Sequence, residues 1–151
     1  MNGKILAAIL VLLLFLGFIV VQSTTSTTEP TAAAADGNGR WYTEQQVAEG
    51  GPLYQTHCAS CHGPEAASTP KWRETDENGN YPPPPLDGSA HAWHHSLILL
   101  QKTVRDGGVP LGGQMPPFKD VLAADEIDSI LAWVQTHWND KIYQIWQERN
   151  G

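Results

Sequence analysis

Residues 58–62 read Cys58-Ala59-Ser60-Cys61-His62, and the meaning of these five positions decides what kind of domain surrounds them. Two thiols three residues apart, with histidine next, form the attachment signature of a c-type haem. On the end of a helix the two sulfurs reach the two vinyl groups on one edge of a porphyrin. The adjacent imidazole then points under the ring toward the iron. Three other chemistries use part of the pattern. A thioredoxin-like redox pair follows a strand in a βαβ unit, and no alternating strand pattern of useful length occurs here. A zinc site needs a second ligand pair, which His91, His94 and His95 nominally supply. The third is a structural disulfide between Cys58 and Cys61. These are the chain's only two cysteines, and a bridge that short staples no fold, so the disulfide-scaffold class is excluded.

The segments around the motif read as helices joined by long loops. Thr43 followed by Gln46 has capping-box spacing, and a helix pattern runs from there toward Cys58. Gly50-Gly51-Pro52 interrupts it, so a bend is expected there, with Pro52 an alternative start for a second helix. From Gly63 to Ser89 there is no apolar period, and Pro64, Pro70 and Pro82 to Pro85 mark loop. Ser96 to Arg105 reads as a short helix with Leu97, Leu100, Gln101 and Val104 near one face, stopped by Gly107-Gly108. Asp125 to Trp138 is the strongest helix. Ile127, Ile130, Leu131, Val134 and Trp138 recur at helical spacing, and Asp125, Glu126 and Asp128 sit near the positive end of its dipole. Trp138, Ile142, Ile145 and Trp146 carry the stripe into the tail. Six tryptophans in 151 residues call for a large apolar object to pack around, and a covalently held haem supplies one.

A low-spin electron-transfer haem needs a sixth ligand, and methionine raises its potential. Met115 is the only methionine after Met1. It stands in Gly112-Gly113-Gln114-Met115-Pro116-Pro117-Phe118, where proline stiffens the loop and glycine allows close approach to a ring. An isolated methionine is elsewhere more often core filler.

On these residues the chain resembles class I c-type cytochromes over about residues 43 to 138. The resemblance rests on the attachment motif with Gly63 after it, Gly50 and Tyr54 on the preceding helix, and Ile130 and Trp133 on the last. It extends to Pro84-Pro85-Leu86-Asp87-Gly88 as the proximal turn and to Met115-Pro116 in the distal loop. It implies an all-α fold of short helices and long loops around one haem c. It further implies Cys58 and Cys61 as thioether attachments, His62 and Met115 as axial ligands, and the Pro84 carbonyl as acceptor for the His62 ring. The function implied is that of a one-electron carrier and not a catalyst. Three features depart from the pattern. Pro52 lies where the helix usually continues, and the chain extends past Trp138. Ala123 stands at an N-cap where Ser or Thr is usual, which costs about 1 kcal/mol. His91-Ala92-Trp93-His94-His95 has three open readings: a surface copper or zinc site, a contact to a haem propionate, or capping and packing before the next helix.

The amino-terminal part is of another character. Ile5 to Val21 contains 17 residues without a polar side chain after Lys4, and as a helix would span about 26 Å, slightly under the hydrocarbon core. Residues 1–22 are expected to be a membrane anchor, or else a cleaved signal segment. Either places the remainder outside the cytoplasm, with the haem domain on the periplasmic face. Residues 23–40, rich in Ser, Thr, Ala and Gly, read as a flexible linker, and 41–151 as the cytochrome domain with a helical extension. From Trp41 onward, 7 Lys and Arg stand against 14 Asp and Glu. That balance excludes a nucleic-acid partner and argues against docking through a ring of lysines. The expected partners are redox proteins at the membrane and no small-molecule substrate. The expected role is a tethered shuttle between a quinol-oxidising complex or dehydrogenase and an acceptor such as a haem–copper oxidase. The alternative is a haem subunit docked permanently in a larger oxidoreductase, with the tail bearing Trp138 and Trp146 as its interface.

Overall fold

The computed structural model describes residues 39–109 and 113–150. Among these residues there are five α-helices, one 3-10 turn and no strand. In chain order they are α1 (Glu44–His57), α2 (Ala59–His62), the 3-10 turn η1 (Ala92–His94), α3 (Leu97–Asp106), α4 (Ala124–Thr136) and α5 (Asp140–Asn150). The expected span at 5–21, and the linker up to residue 38, lie outside the described residues. No helix among the described residues is long and apolar enough to cross a membrane.

α1 starts with the capping box read from the sequence. Thr43 Oγ1 accepts from the Gln46 amide at 3.2 Å, and Gln46 Oε1 accepts from the Thr43 amide at 2.9 Å. Two of the orphan donors of the first turn are thereby satisfied. The helix does not restart at Pro52, which lies inside one continuous element. The missing N–H leaves the Ala48 carbonyl without its helical donor. What holds the helix through this weak point is tertiary packing. A Cβ on Gly50 would lie 1.8 Å from the Ser129 carbonyl oxygen, and one on Gly51 would lie 3.1 Å from the Trp133 indole. α1 and α4 therefore cross backbone to backbone at Gly50. Below the crossing, Tyr54 stacks on Trp133 at 4.3 Å between ring centroids and is wholly buried.

α4 buries Ile127, Ile130, Leu131 and Val134, as their spacing requires. Ala123 provides no side-chain cap, but Glu126 reaches back to accept from its amide at 2.8 Å, half of a capping box. The helix ends at Thr136, not at Trp138. α3 is capped by Ser96 Oγ, which accepts from the Leu99 amide at 3.3 Å. Leu97, Leu100 and Val104 face the core while Ile98 and Leu99 face outward. Gln101 Nε2 donates to Asp128 Oδ1 at 2.6 Å, tying α3 to α4.

The carboxyl-terminal extension builds a second core. Tyr42, Ala92, Ala132, Trp138, Tyr143 and Trp146 form one buried cluster. Trp138 and Trp146 are each 3% exposed, so the tail does not present them as an interface. Their stripe turns inward because the fold supplies it with acceptors. Trp146 Nε1 donates to the His95 carbonyl at 2.7 Å, and Trp138 Nε1 to the Leu86 carbonyl at 2.7 Å. Tyr143, absent from the expected stripe, is buried with them, while Ile142 and Ile145 are half-buried. The start of the domain closes over this core. Trp41 Nε1 donates to Gln135 Oε1 at 2.8 Å, Arg40 lies 3.7 Å over the Tyr143 ring, and Gln147 Nε2 donates to the Gly39 carbonyl at 3.0 Å.

Gly50→Ala tests the crossing. No rotamer relieves a Cβ against a backbone oxygen, so α1 and α4 must separate. Denaturant titration of the haem-loaded protein is expected to show a loss of about 3 kcal/mol or more, at or beyond the upper end of ordinary overpacking.

Candidate functional site

Cys58 ends α1 and opens α2, so the motif occupies a helical corner. Gly63, at φ +79°, ends α2 in a conformation that L side chains rarely adopt. Both cysteines are free thiols, Cys58 buried and Cys61 exposed. Burial, with the neighbouring Cys61 adding to it, pushes the Cys58 thiol up to about 11.

His62 is 9% exposed, and its Nδ1 lies 2.9 Å from the Pro84 carbonyl oxygen. A carbonyl only accepts, so Nδ1 carries the proton and donates it. Burial lowers the pKa of the ring below its ordinary 6.5, and the bond to Pro84 opposes that only in part. The outcome is a neutral imidazole with its lone pair on Nε2. That is the protonation state and tautomer that a metal-ligating histidine requires. The two free thiols and this imidazole on one corner fit a covalently attached haem.

The segment around Pro84 has an unusual donor balance. Pro82 to Pro85 carry four carbonyls and no N–H, so this stretch is held only by donors that come to it. His62 serves Pro84, and Ser68 Oγ donates to the Pro83 carbonyl. The first amide available after the prolines, that of Leu86, donates to the Ala66 carbonyl at 2.7 Å. Ala66 and Ser68 reach these positions with φ of +57° and +44°, and the Ser68 amide returns to the His62 carbonyl at 2.8 Å. The residues after the motif thus fold back to seat the proline loop beside it. Ser68 and Ala66 are not legible in the sequence, because nothing in a loop marks a positive φ on residues other than Gly, Asn or Asp.

Met115 is half-buried against the same apolar cluster as Cys58, Leu86, Leu97, Leu100 and Val104. Its loop is secured at both flanks. The Gly108 amide donates to the Met115 carbonyl at 2.9 Å, and the Phe118 amide to the Val104 carbonyl at 3.1 Å. Gly107 is at φ +80°, and a Cβ there would lie 2.7 Å from the Met115 carbonyl oxygen, so that approach requires glycine.

The histidine cluster makes packing contacts in the structure. η1 packs on α5. His91 stacks on Trp72 at 5.1 Å, His94 lies 3.8 Å from Trp93, and the His95 carbonyl receives Trp146. No group of three His, Cys, Asp or Glu side chains among the described residues is placed to hold a metal ion.

An all-helical domain with a Cys-x-x-Cys-His corner, a histidine ring seated on a proline carbonyl and a methionine on the same core defines a c-type cytochrome of the class I type. Residues 45–134 match the family described as cytochrome c oxidase, cbb3-type, subunit III, and the chain belongs to that family. It is a haem c electron-transfer cytochrome, the haem being covalently attached. No curated protein and no solved structure matches the chain.

His91 gives this site region a pH dependence. The ring is exposed, yet partial desolvation lowers its pKa below 6.5, and His95, His94 and Arg73 lower it further. The unfolded chain therefore takes up this proton first as pH falls through 6.5. The stability tied to the neutral ring is present above that pH and is lost as pH falls toward the folded pKa. Nuclear magnetic resonance titration is expected to give His91 a midpoint below 6.5, and His91→Gln to flatten the acid-side fall in stability. A midpoint at or above 6.5 would contradict this account.

Proposed function

We propose that Cys58 and Cys61 carry the haem thioethers, that His62 Nε2 and Met115 Sδ are its axial ligands, and that the protein is a membrane-tethered one-electron carrier. The observation that carries this reading is the His62 ring held at 2.9 Å by Pro84, with Met115 packed on the same cluster as Cys58. The bound haem supplies a one-electron Fe(III)/Fe(II) couple. The protein's own part is to hold both ligands still, so that little rearranges when the charge changes. Pro84 fixes the tautomer and orientation of His62. The Gly107–Met115 contact and the Pro116-Pro117 pair stiffen the other side.

Residues 1–22 serve as the anchor and 23–40 as the tether in this reading. The haem domain is thereby kept at the periplasmic face, near a quinol-oxidising complex or dehydrogenase and an acceptor such as a haem–copper oxidase. Tethering raises the effective concentration at such partners and makes charge steering dispensable. Local positive charge is partly offset. Lys102 lies 2.8 Å from Asp106 and Arg105 lies 2.9 Å from it, and these two cations hold the Asp106 carboxyl well below the usual carboxylate range. Exposed Val109 and Val121, with exposed Pro116 and Pro117, support docking through an apolar patch. A second reading, a haem subunit docked permanently in a larger oxidoreductase, is favoured by the description of the family as an oxidase subunit. Native electrophoresis of gently solubilised membranes separates the two: a carrier migrates alone, a subunit with its complex.

Acid–acetone extraction is expected to leave the haem on the polypeptide. Met115→Ala is expected to abolish the near-infrared charge-transfer band of the ferric protein and to open the iron to cyanide. An unchanged band would remove Met115 from the iron.

Electron transfer from the domain freed of residues 1–38 to its acceptor is expected to change less than about threefold as ionic strength rises from about 10 to 150 mM, although the Debye length falls from roughly 30 to 8 Å. A steep fall would show that charge steers the encounter.

A further inference from the structure

The carboxyl-terminal extension lies beyond the family match, which ends at residue 134, yet its first tryptophan touches the loop that seats His62. Trp138 Nε1 donates to the Leu86 carbonyl at 2.7 Å, two residues after the carbonyl that accepts from His62. The same side chain and Ile142 cover Gly88. Gly88 sits at φ +92°, and a Cβ there would lie 3.4 Å from Trp138 Cδ1 and 3.2 Å from Ile142 Cδ1. The stretch from this seat at Pro84 to Leu86 is short and stiff, with φ locked at Pro84 and Pro85. A displacement at Leu86 therefore passes to the Pro84 carbonyl with little absorbed on the way. On the other side the loop is held by Ser68 at Pro83 and by Ala66 at Leu86. Trp138 closes that grip from the opposite element.

We propose that Trp138 is a positioning residue for the proximal histidine: through Leu86 and the two prolines it sets how firmly the Pro84 carbonyl holds His62 Nδ1–H. This rests on the reading of His62 as an axial ligand. A firmly accepted Nδ1 proton gives the imidazole more anionic character, which favours the ferric over the ferrous iron. Loosening the loop weakens that bond and favours the ferrous form. The extension is thus part of the redox tuning as well as of the second core.

The test compares Trp138→Phe with Trp146→Phe in the full-length, haem-loaded protein. Each change keeps most of the ring volume and deletes one indole N–H that donates at 2.7 Å to a loop carbonyl, Leu86 in one case and His95 in the other. Both are expected to lower the denaturation midpoint. Only Trp138→Phe is expected to raise the reduction potential, by a shift of about threefold in the ferrous-to-ferric ratio at fixed ambient potential, or about 28 mV at 59 mV per tenfold. The hyperfine-shifted resonances of the axial histidine, its exchangeable ring N–H included, are expected to move with it. An unchanged potential in Trp138→Phe, or an equal rise in Trp146→Phe, overturns the proposal. If Trp138→Phe retains no haem, Ile142→Ala carries the test, since it loosens the cover on Gly88 while leaving the indole bond. It is expected to raise the potential in the same direction by less, and no shift overturns the proposal. If the unaltered protein shows no axial-histidine resonances, the ligation reading itself fails, which is a result distinct from resonances present but unmoved.

Discussion

At Gly50 the backbones of α1 and α4 approach until only a hydrogen fits between Cα and the Ser129 carbonyl. Much of the domain follows from that contact. It brings Tyr54 under Trp133, and the buried Tyr54 hydroxyl then donates to the Gly63 carbonyl at 2.9 Å, which fixes the turn after the attachment motif. One close crossing thus orients the helix that leads into Cys58 and the corner that carries His62. It also accounts for the continuity of α1 through Gly-Gly-Pro. Intrinsic propensity disfavours that triplet, and burial of the face that bears Gly50 and Tyr54 outweighs it.

Around His62 the physical logic is one of acceptors and donors. Four successive prolines supply carbonyls and no amides, so the loop is rigid in itself and dependent on others for its place. Its donors come from three parts of the chain: the motif through His62, the turn after it through Ser68, and the extension through Trp138. A histidine ring seated in this way is oriented by a carbonyl whose loop Ser68 and Trp138 also hold. Such preorganisation suits a site whose ligands should not move when an electron arrives.

The second core shows how a small haem domain grows without enlarging its first one. α5 lies on η1, and the segment at Gly39 to Trp41 closes over it. The ion pair between Arg40 and Asp140 is exposed on its acidic side, so it contributes little. Burial of Tyr42, Trp138, Tyr143 and Trp146 is the stabilising part, at roughly 25 cal/mol per Å² of apolar surface removed from water.

The sequence by itself determined the chemistry and the helices. Cys58, Cys61 and His62 are recognisable because thioether attachment needs two thiols and a ligand at one short spacing. Thr43 with Gln46, and Ile127 through Val134, are recognisable because capping and amphipathic burial are local, periodic constraints. The pairing of His62 with Pro84 came from resemblance, since residues 22 apart with only loop between them carry no local signal. The tertiary structure alone decided which rings the histidines at 91 and 94 pack on, that Trp138, just past the end of its helix, binds Leu86, and that Trp146 faces inward to His95. Each of these depends on which carbonyl a loop presents to a side chain tens of residues away. That is settled by the closure of the chain around two cores and by no pattern along it, because a tryptophan at helical spacing looks the same whether its N–H meets water, a partner protein or a buried oxygen.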